Sequence, residues 1–166
     1  NCSGLAMQPG TDNLWCVVNE RDHLGPDLAP DFMARLRDGA FYGWPWYYIG
    51  DNEDPALKGK RPDLKGQVQE PEVLIQAHSS ALSVAFYDRD AFPAEYRGDA
   101  FVALHGSHSR PELTGYKVIR VRMKEGRPTG EYEDFMTGFV VDNDTVWGRP
   151  AGVAVARDGA LLVSDD

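Results

Sequence analysis

Short apolar stretches recur along the chain in pairs, and a turn separates the two members of each pair. The segment GLAMQPGTDNLWCVV begins at Gly4, and GVAVARDGALLVSDD begins at Gly152. Each has a small residue, an alternating apolar strand, a turn rich in Gly and Asp, and a second apolar strand. A looser copy, SVAFYDRDAFPAEYRGDAFVALHG, begins at Ser83 and carries a longer insertion between its strands. The pattern predicts a β-hairpin that occurs three times.

The spacing of these copies predicts the architecture. They begin roughly 79 and then 69 residues apart, which suits a four-stranded propeller blade with long loops better than a solenoid repeat. We therefore predict an all-β fold in which residues 1–166 form slightly more than two blades of a six-bladed β-propeller. Because propellers close at four or more blades, we expect either missing partner segments or a whole chain of roughly 400 to 450 residues, which is six such units. Asn1 and the final ALLVSDD both look like interruptions of this architecture.

Three segments between the hairpins predict other local structure. TGYKVIRVRM, residues 114–123, alternates well and predicts a strand. DPALKGKRPDLKGQVQEPE, residues 54–72, is polar and rich in Pro and Gly, which predicts an excursion on the rim. PDFMARLR, residues 30–37, predicts one or two helical turns capped by Asp31. We expect little helix elsewhere.

Composition narrows the classes of partner. A hydrophobic content of 42% indicates a folded core, and a formal charge of −9 argues against nucleic acid or an anionic membrane as the main partner. No apolar run approaches the roughly 20 residues that a membrane helix needs, so we predict no membrane span. The sequence neither shows nor excludes a signal peptide.

The chain contains two cysteines, Cys2 and Cys16, on either side of the first predicted turn. Their spacing fits neither a metal site nor a disulfide-dense scaffold. The turn brings the two chain segments side by side without placing Cys2 directly opposite Cys16. Two semi-buried thiols and a disulfide bond therefore both remain open.

The polar segment NERDHLGPDLAPDF, residues 19–32, follows the second strand of the first hairpin. That position puts it on one rim of a propeller, where loops converge on the central axis and carry binding sites. Its carboxylates and turn carbonyls suit Ca²⁺, which takes six to eight oxygen ligands, although the spacing is not that of an EF-hand. A solvated loop is the alternative. The candidate side chains are Glu20, Asp22, Asp27 and Asp31.

Two more segments could contribute to a site on this rim. The aromatic cluster FYGWPWYY, residues 41–48, is either core and inter-blade packing or a stacking wall for a flat ligand or a sugar. The loop HGSHSR, residues 105–110, follows the apolar AFVAL. His105 and His108 could ligate a metal, or His105, Ser107 and Arg110 could contact a polar or anionic ligand. His78 lies at an equivalent point before a repeat.

Arg149 and Asp165 flank the last hairpin. An out-and-back hairpin returns Asp165 close to Arg149 at the same rim, where Asp165 could fix the planar guanidinium of Arg149 for binding a carboxylate. An inter-strand ion pair with only a structural role is the alternative.

Taken in order, these segments resemble the glucose/sorbosone dehydrogenase family of soluble sugar dehydrogenases, which are six-bladed propellers that use pyrroloquinoline quinone (PQQ). The resemblance is carried by NERDHLGPDLAPD leading to FYGWP, by AFPAEYRGDAFVALHGSHSRPELTGYKV, and by VWGRPAGVAVARDGALLVSDD. It extends over nearly the whole chain and corresponds to the C-terminal part of such an enzyme. His108 and Ser109 stand where many relatives have Trp and Asn.

The resemblance implies specific roles for several residues. Backbone carbonyls around Asp22 and His23 would supply part of a Ca²⁺ shell beneath the quinone. Arg149 would pair with a cofactor carboxylate, and Asp165 would support it. Further predicted contacts to cofactor or substrate are Asn1, His105, Arg110 and His78, with Asn1 matching the Asn that follows the cofactor-polarising Arg of the family. The family's catalytic His lies on an earlier blade and has no counterpart in this sequence.

The activity implied by the resemblance is oxidation of a sugar or an aldehyde, with hydride transfer from a sugar hydroxyl to PQQ assisted by Ca²⁺. Its partners would be the substrate and an external electron acceptor such as a cytochrome or a quinone, in the periplasm or outside the cell. The 166 residues alone are expected to show little or no activity. The alternatives are a calcium-dependent lactonase-type propeller and a non-catalytic carbohydrate-binding propeller.

Overall fold

A computed structural model describes residues 1–107, 110–142 and 145–166, and its regular structure is almost entirely β. The strands are β1 (Gly4–Met7), β2 (Leu14–Val18), β3 (Asp31–Arg35), β4 (Tyr47–Tyr48), β5 (Asn52–Glu53), β6 (Val73–Ile75), β7 (Ala81–Phe86), β8 (Ala100–Leu104), β9 (Lys117–Lys124), β10 (Arg127–Met136), β11 (Val140–Asp142), β12 (Thr145–Val146), β13 (Pro150–Val155) and β14 (Leu161–Asp165). Short 3₁₀ helices lie at Pro55–Leu57, Pro62–Leu64 and Ala94–Tyr96. None of the described residues belongs to a helix long and apolar enough to cross a membrane. The all-β prediction is confirmed.

The strands form antiparallel sheets that follow the chain. The first sheet has the order β1-β2-β3-β6, and the second has the order β10-β9-β8-β7. The predicted hairpins are confirmed as β1 with β2, β7 with β8, and β13 with β14. The strand predicted at residues 114–123 is β9. The number of blades in a closed propeller stays a prediction.

Two hydrophobic layers hold the sheets face to face. Trp15, Val17 and Met33 of the first sheet pack against residues of the second sheet such as Val102 and Ile119. On the far side of the second sheet, Phe101 and Val118 pack against Val153 of the last hairpin. Residues on the two faces of each strand alternate, so β8 contributes to both layers and is fully buried. The two four-stranded sheets and the β13–β14 hairpin therefore form a stack, and the described residues also include the two-stranded sheets β4-β5 and β11-β12.

The strands β1, β7 and β13, each the first strand of a predicted hairpin, meet at one edge of this stack. A Cβ atom on Gly4 would lie 2.8 Å from the Cα atom of Ser83, so β1 approaches β7 at a distance that only glycine allows. The Oγ atom of Ser83 accepts a hydrogen bond of 3.1 Å from the backbone N–H of Val153 in β13. We call this contact the hub.

The helical turns predicted at residues 30–37 were wrong. Residues 31–35 form β3, a central strand that pairs with both β2 and β6. Asp31 through Ala34 are all buried, because side chains on one face enter the layer between the sheets while Phe32 and Ala34 pack on the outer face with Cys16 and Val18. Burial on both faces erases the alternation that identifies a half-exposed strand.

Cys2 and Cys16 form a disulfide bond. The backbone N–H of Ser3 donates to the carbonyl of Val17, which places Cys2 diagonally beside Cys16 rather than opposite it. The disulfide, one of the two alternatives left open by the sequence, joins the segment before β1 to the outer face of β2.

Candidate functional site

One end of the stack collects the connections that the sequence singled out. We call it the upper rim. It is formed by the described residues of the connections β2–β3 (residues 19–30), β6–β7 (residues 76–80), β8–β9 (residues 105–107 and 110–116) and β10–β13 (residues 137–142 and 145–149), together with the segment before β1 and the end of β14. Antiparallel pairing dictates this arrangement, because each of these connections follows an ascending strand or precedes a descending one. The predicted cofactor and metal contacts that the structure describes lie in these segments; they are Asn1, Asp22, His23, His78, His105, Arg110, Arg149 and Asp165.

Asp31 joins the first and second sheets at the upper rim. Its Oδ1 atom accepts from the backbone N–H of Glu20 at 2.8 Å, and its Oδ2 atom accepts from Ser80 at 2.6 Å and from Ala81 at 3.3 Å. The side chain is completely buried, and this burial raises the pKa of Asp31 to about 6, although the three N–H donors act in the opposite direction. The residue thus organises two connections from inside the protein.

His78 fastens the same two connections closer to the surface. Its Nδ1 atom lies 2.9 Å from Oδ1 of Asp22, and its Nε2 atom lies 2.8 Å from the carbonyl oxygen of Gly25. The His78 side chain is 2% exposed, whereas that of Asp22 is 64% exposed. His78 therefore holds the backbone of residues 22–25 in place.

A buried ionic cluster fixes the start of the 19–30 connection. Arg21 binds Oε2 of Glu20 at 2.8 Å and Oδ2 of Asp54 at 2.7 Å, and it donates to the carbonyl of Tyr47 at 2.8 Å. The Nε2 atom of His23 also lies 2.9 Å from Oδ2 of Asp54. Burial raises the pKa of Asp54, but the bonds from Arg21, Ala56 and His23 outweigh it and leave that pKa below its usual value.

The carboxylates proposed as direct Ca²⁺ ligands do not form one set. Glu20 binds Arg21, and Asp31 accepts from backbone N–H groups. Asp22 contacts His78, and Asp27 pairs with Arg110 at 3.1 Å. Among the described residues, no group of three or more His, Cys, Asp or Glu side chains is placed to hold a metal ion.

Arg110 and His105 approach the upper rim from the β8–β9 connection. Arg110 donates to the carbonyl of Pro26 through Nη1, while its Nε atom is buried without a hydrogen-bond partner in the described part of the chain. His105 lies 3.0 Å from Oδ2 of Asp166 through Nε2. These contacts connect Arg110 to the β2–β3 connection and His105 to the end of the last hairpin. The possible metal ligand His108 lies outside the described residues.

Arg149 is held differently from the prediction. The hairpin does return Asp165 beside it, since Asp165 pairs with Pro150. Asp165 accepts from the backbone N–H of Arg149, however, and not from its guanidinium. The guanidinium lies 5.2 Å from the ring centroid of Tyr116, and Nη1 is 3.4 Å from the Tyr116 hydroxyl, which itself donates to the carbonyl of Ser107. Asp165 therefore fixes the backbone at Arg149 and leaves its charge facing an aromatic ring.

Asn1 lines a cavity of about 150 Å³ on the outer face of the first sheet, beside the disulfide.

The aromatic cluster of residues 41–48 contains one ring that fits the packing interpretation and one that is exposed, as the stacking interpretation requires. Tyr47 is buried at 2% exposure, whereas Trp44 is 45% exposed, borders this cavity and lies 5.0 Å from the Arg21 guanidinium carbon.

Sequence reasoning missed the roles of Asp31, Tyr116, Arg21 and Asp54. Tyr116 lies in the GYKV stretch that carried part of the resemblance, which was the available signal. Asp54 begins the polar segment interpreted as an excursion on the rim, and no local pattern shows that residues 45–54 fold back to contact Arg21.

Comparison with known proteins identifies the family of the chain. A sequence model of the family described as TrAA12-like matches residues 57–166, more than half of the chain. The chain belongs to the TrAA12-like family, and the resemblance to PQQ-dependent sugar dehydrogenases is confirmed at that level.

Similar solved structures include the calcium structure of a Trichoderma reesei carbohydrate-active enzyme of family AA12, 22% identical, with a TM-score of 0.77. They also include the holo form of the pyranose dehydrogenase PQQ domain from Coprinopsis cinerea, 20% identical, with a TM-score of 0.79. Each comparison covers 100% of this chain, and 49% and 51% of the other chain. At these identities the likeness shows the fold.

A curated relative is an uncharacterized protein of Borreliella burgdorferi, 27% identical over 169 residues. The match covers 100% of this chain and 44% of that protein. The chain thus spans about half, or slightly less than half, of the length of these similar proteins.

Proposed function

We propose that this chain forms part of a quinoprotein sugar dehydrogenase, and that its upper rim holds one side of a PQQ and Ca²⁺ site. The observation that carries the proposal is the convergence of Arg110, Arg149 and His105 with the backbone of residues 22–25 at one end of the stack. Membership of the TrAA12-like family supports it. PQQ would supply an electron-accepting quinone for oxidation of a sugar hydroxyl, and Ca²⁺ would polarise the quinone carbonyl.

The residues present fit a multiply charged anion. The Nε atom of Arg110 is buried without a partner in the described part of the chain, and such a donor is costly unless a ligand meets it. The Arg149 guanidinium rests against Tyr116 while its backbone is fixed by Asp165, so its charge is oriented without being neutralised by that carboxylate. Arg110 and Arg149 would hold cofactor carboxylates, with His105 and Asn1 as further polar contacts.

The same region fits a cation bound by backbone oxygens. The side chains of Asp22 and His23 are engaged by His78 and Asp54, and these contacts fix the backbone at both residues. Carbonyl oxygens of Asp22 and His23 would then be offered to Ca²⁺ in a rigid arrangement. A lactonase-type site would need several carboxylates around the ion, and the described residues do not favour it.

In this proposal the chain's own residues bind and orient, while the general base comes from outside this sequence. The buried Arg21 cluster and Asp31 hold the rim backbone, so that the cation and the quinone meet fixed groups. A periplasmic or secreted location is part of the proposal, and the Cys2–Cys16 disulfide supports it because structural disulfides persist in oxidising compartments.

The test is reconstitution of the complete protein with PQQ and Ca²⁺, followed by the absorption band of the bound cofactor and by sugar-dependent dye reduction. Arg149→Gln should weaken PQQ binding about tenfold or more. The matched control is Arg157→Gln, which removes the same charge at the opposite end of the last hairpin, in the turn closed by the Gly159 N–H and the Ala156 carbonyl. Absence of a bound-cofactor band in the wild type, or equal effects of both variants, would overturn the proposal and favour a carbohydrate-binding or hydrolytic propeller.

A further inference from the structure

The end of the stack opposite the upper rim contains a second, chemically distinct cleft. It has a volume of about 370 Å³ and lies between the first sheet and the turn that joins β9 to β10. Described strands border it on both sides. The residues that line it are Trp15, Arg35, Arg37, Glu72, Gly126, Arg127, Pro128, Thr129 and Gly130.

The charge of this cleft opposes that of the whole chain. The protein carries a formal charge of −9, yet three arginines and a single carboxylate line this one cleft. Glu72 is committed to its neighbours, since Oε1 binds Nη2 of Arg37 at 3.1 Å and Oε2 accepts from the backbone N–H of Arg35 at 2.9 Å. Arg37 also donates to Oε1 of Gln69 at 2.9 Å. The guanidinium groups of Arg35 and Arg127 therefore give the cleft a net positive charge.

Arg35 has an unmet hydrogen-bond donor. Its Nε atom is buried and has no partner in the described part of the chain. Its Nη1 atom reaches only Oδ1 of Asn13, at 3.5 Å, which is the limit of a hydrogen bond. Buried donors on a charged group are costly to leave unpaired, and a guanidinium presents several donors in one plane that match an oxyanion.

The walls of the cleft are fixed. Gln8, which is 6% exposed, donates from Nε2 to the carbonyl of Gly126 at 3.0 Å. Its Oε1 atom accepts from Trp15 Nε1 and from Asn13 Nδ2, each at 3.1 Å. One buried amide therefore ties the turn of the first hairpin to the β9–β10 turn, and it keeps Arg35 and Arg127 on facing sides.

We propose that this cleft, which we call the lower-rim cleft, binds a small ligand through a carboxylate, phosphate or sulfate group held by Arg35 and Arg127. Charge-assisted bonds from two arginines in a partly enclosed space provide the recognition. The cleft lies a full strand away from the upper rim, because β3 runs from Asp31 to Arg35, a length of about 15 Å. Binding there is independent of the quinone proposal.

Binding is measured by calorimetry on the complete protein at low ionic strength, with inorganic phosphate, sulfate and glucuronate as probes and acetamide as the neutral control. We expect saturable binding of at least one anion, no binding of acetamide, and weakening as salt is added. Binding of phosphate or sulfate would indicate a free or esterified inorganic group as the ligand, whereas binding of glucuronate alone would indicate an acidic sugar. Binding is expected to be unchanged when PQQ and Ca²⁺ are present.

Arg127→Gln and Arg35→Gln should each weaken binding by about tenfold or more. Arg127 is exposed, so its replacement tests the site even if Arg35→Gln impairs folding. The matched control is Arg122→Gln, which removes the same charge from the same hairpin, where Arg122 pairs with Glu133 at 2.7 Å. The proposal is overturned if none of the three anions binds saturably below about 10 mM, or if Arg122→Gln weakens binding as much as Arg127→Gln.

Discussion

Asp31 should make the protein lose stability as the pH rises through the weakly acidic range. Burial raises its pKa from 3.8 to about 6 in the folded protein, so the folded state holds its proton to a higher pH than the unfolded chain does. The stabilisation is complete below the unfolded pKa and is lost as the pH rises through about 6. A shift of about 2 pKa units corresponds to about 3 kcal/mol of unfolding free energy.

The assay is urea unfolding of the wild type and of Asp31→Asn between about pH 3 and pH 7. The variant cannot ionise at this position, so the unfolding free energy of the wild type minus that of the variant should fall by about 3 kcal/mol across this range. Asp38→Asn, at an exposed carboxylate, serves as the control and should show no comparable change. A constant or rising difference for Asp31→Asn would refute the reasoning, because it would mean that the three N–H donors outweigh burial.

Two further changes test the framework of the upper rim. Replacing Cys2 and Cys16 together by Ser should lower the unfolding free energy by about 3 kcal/mol, since the disulfide closes a loop of sequence separation 14, and thermal unfolding with and without reductant measures it. If reductant lowers the melting temperature of the double variant as much as that of the wild type, the disulfide is not the cause. Arg21→Gln should cost about 3–5 kcal/mol in urea unfolding, because it leaves the buried carboxylates of Glu20 and Asp54 uncompensated. Arg61→Gln, at an exposed pair with Asp63, is the control, and an equal cost for both would contradict the argument.

The sequence was sufficient for the hairpins and for the return of Asp165 to the neighbourhood of Arg149. Turn residues and alternating apolar positions are local signals, so β1–β2 and β13–β14 could be located, and their antiparallel direction brings Asp165 back to Arg149. By contrast, β3 was misassigned because it is buried on both faces and therefore lacks alternation.

The atomic partners at the upper rim could not be predicted from local patterns. Whether Asp165 meets the guanidinium or the backbone of Arg149 depends on where Tyr116 lies, which is set by a different connection. The Arg21–Asp54 pair needs a segment 33 residues away to return to the same place. Such contacts follow from tertiary packing, and the sequence pattern carries no record of them.

The close approach of Gly4 to Ser83 at the hub has a mechanical consequence. An added methyl group at position 4 would collide with the backbone of Ser83 and would push β1 away from β7. Ser80 lies three residues before Ser83, so a displacement of β7 by a few tenths of an ångström would also move the Ser80 N–H relative to Asp31. The absence of a Cβ atom at position 4 thus helps to set the distance between the connections at the upper rim.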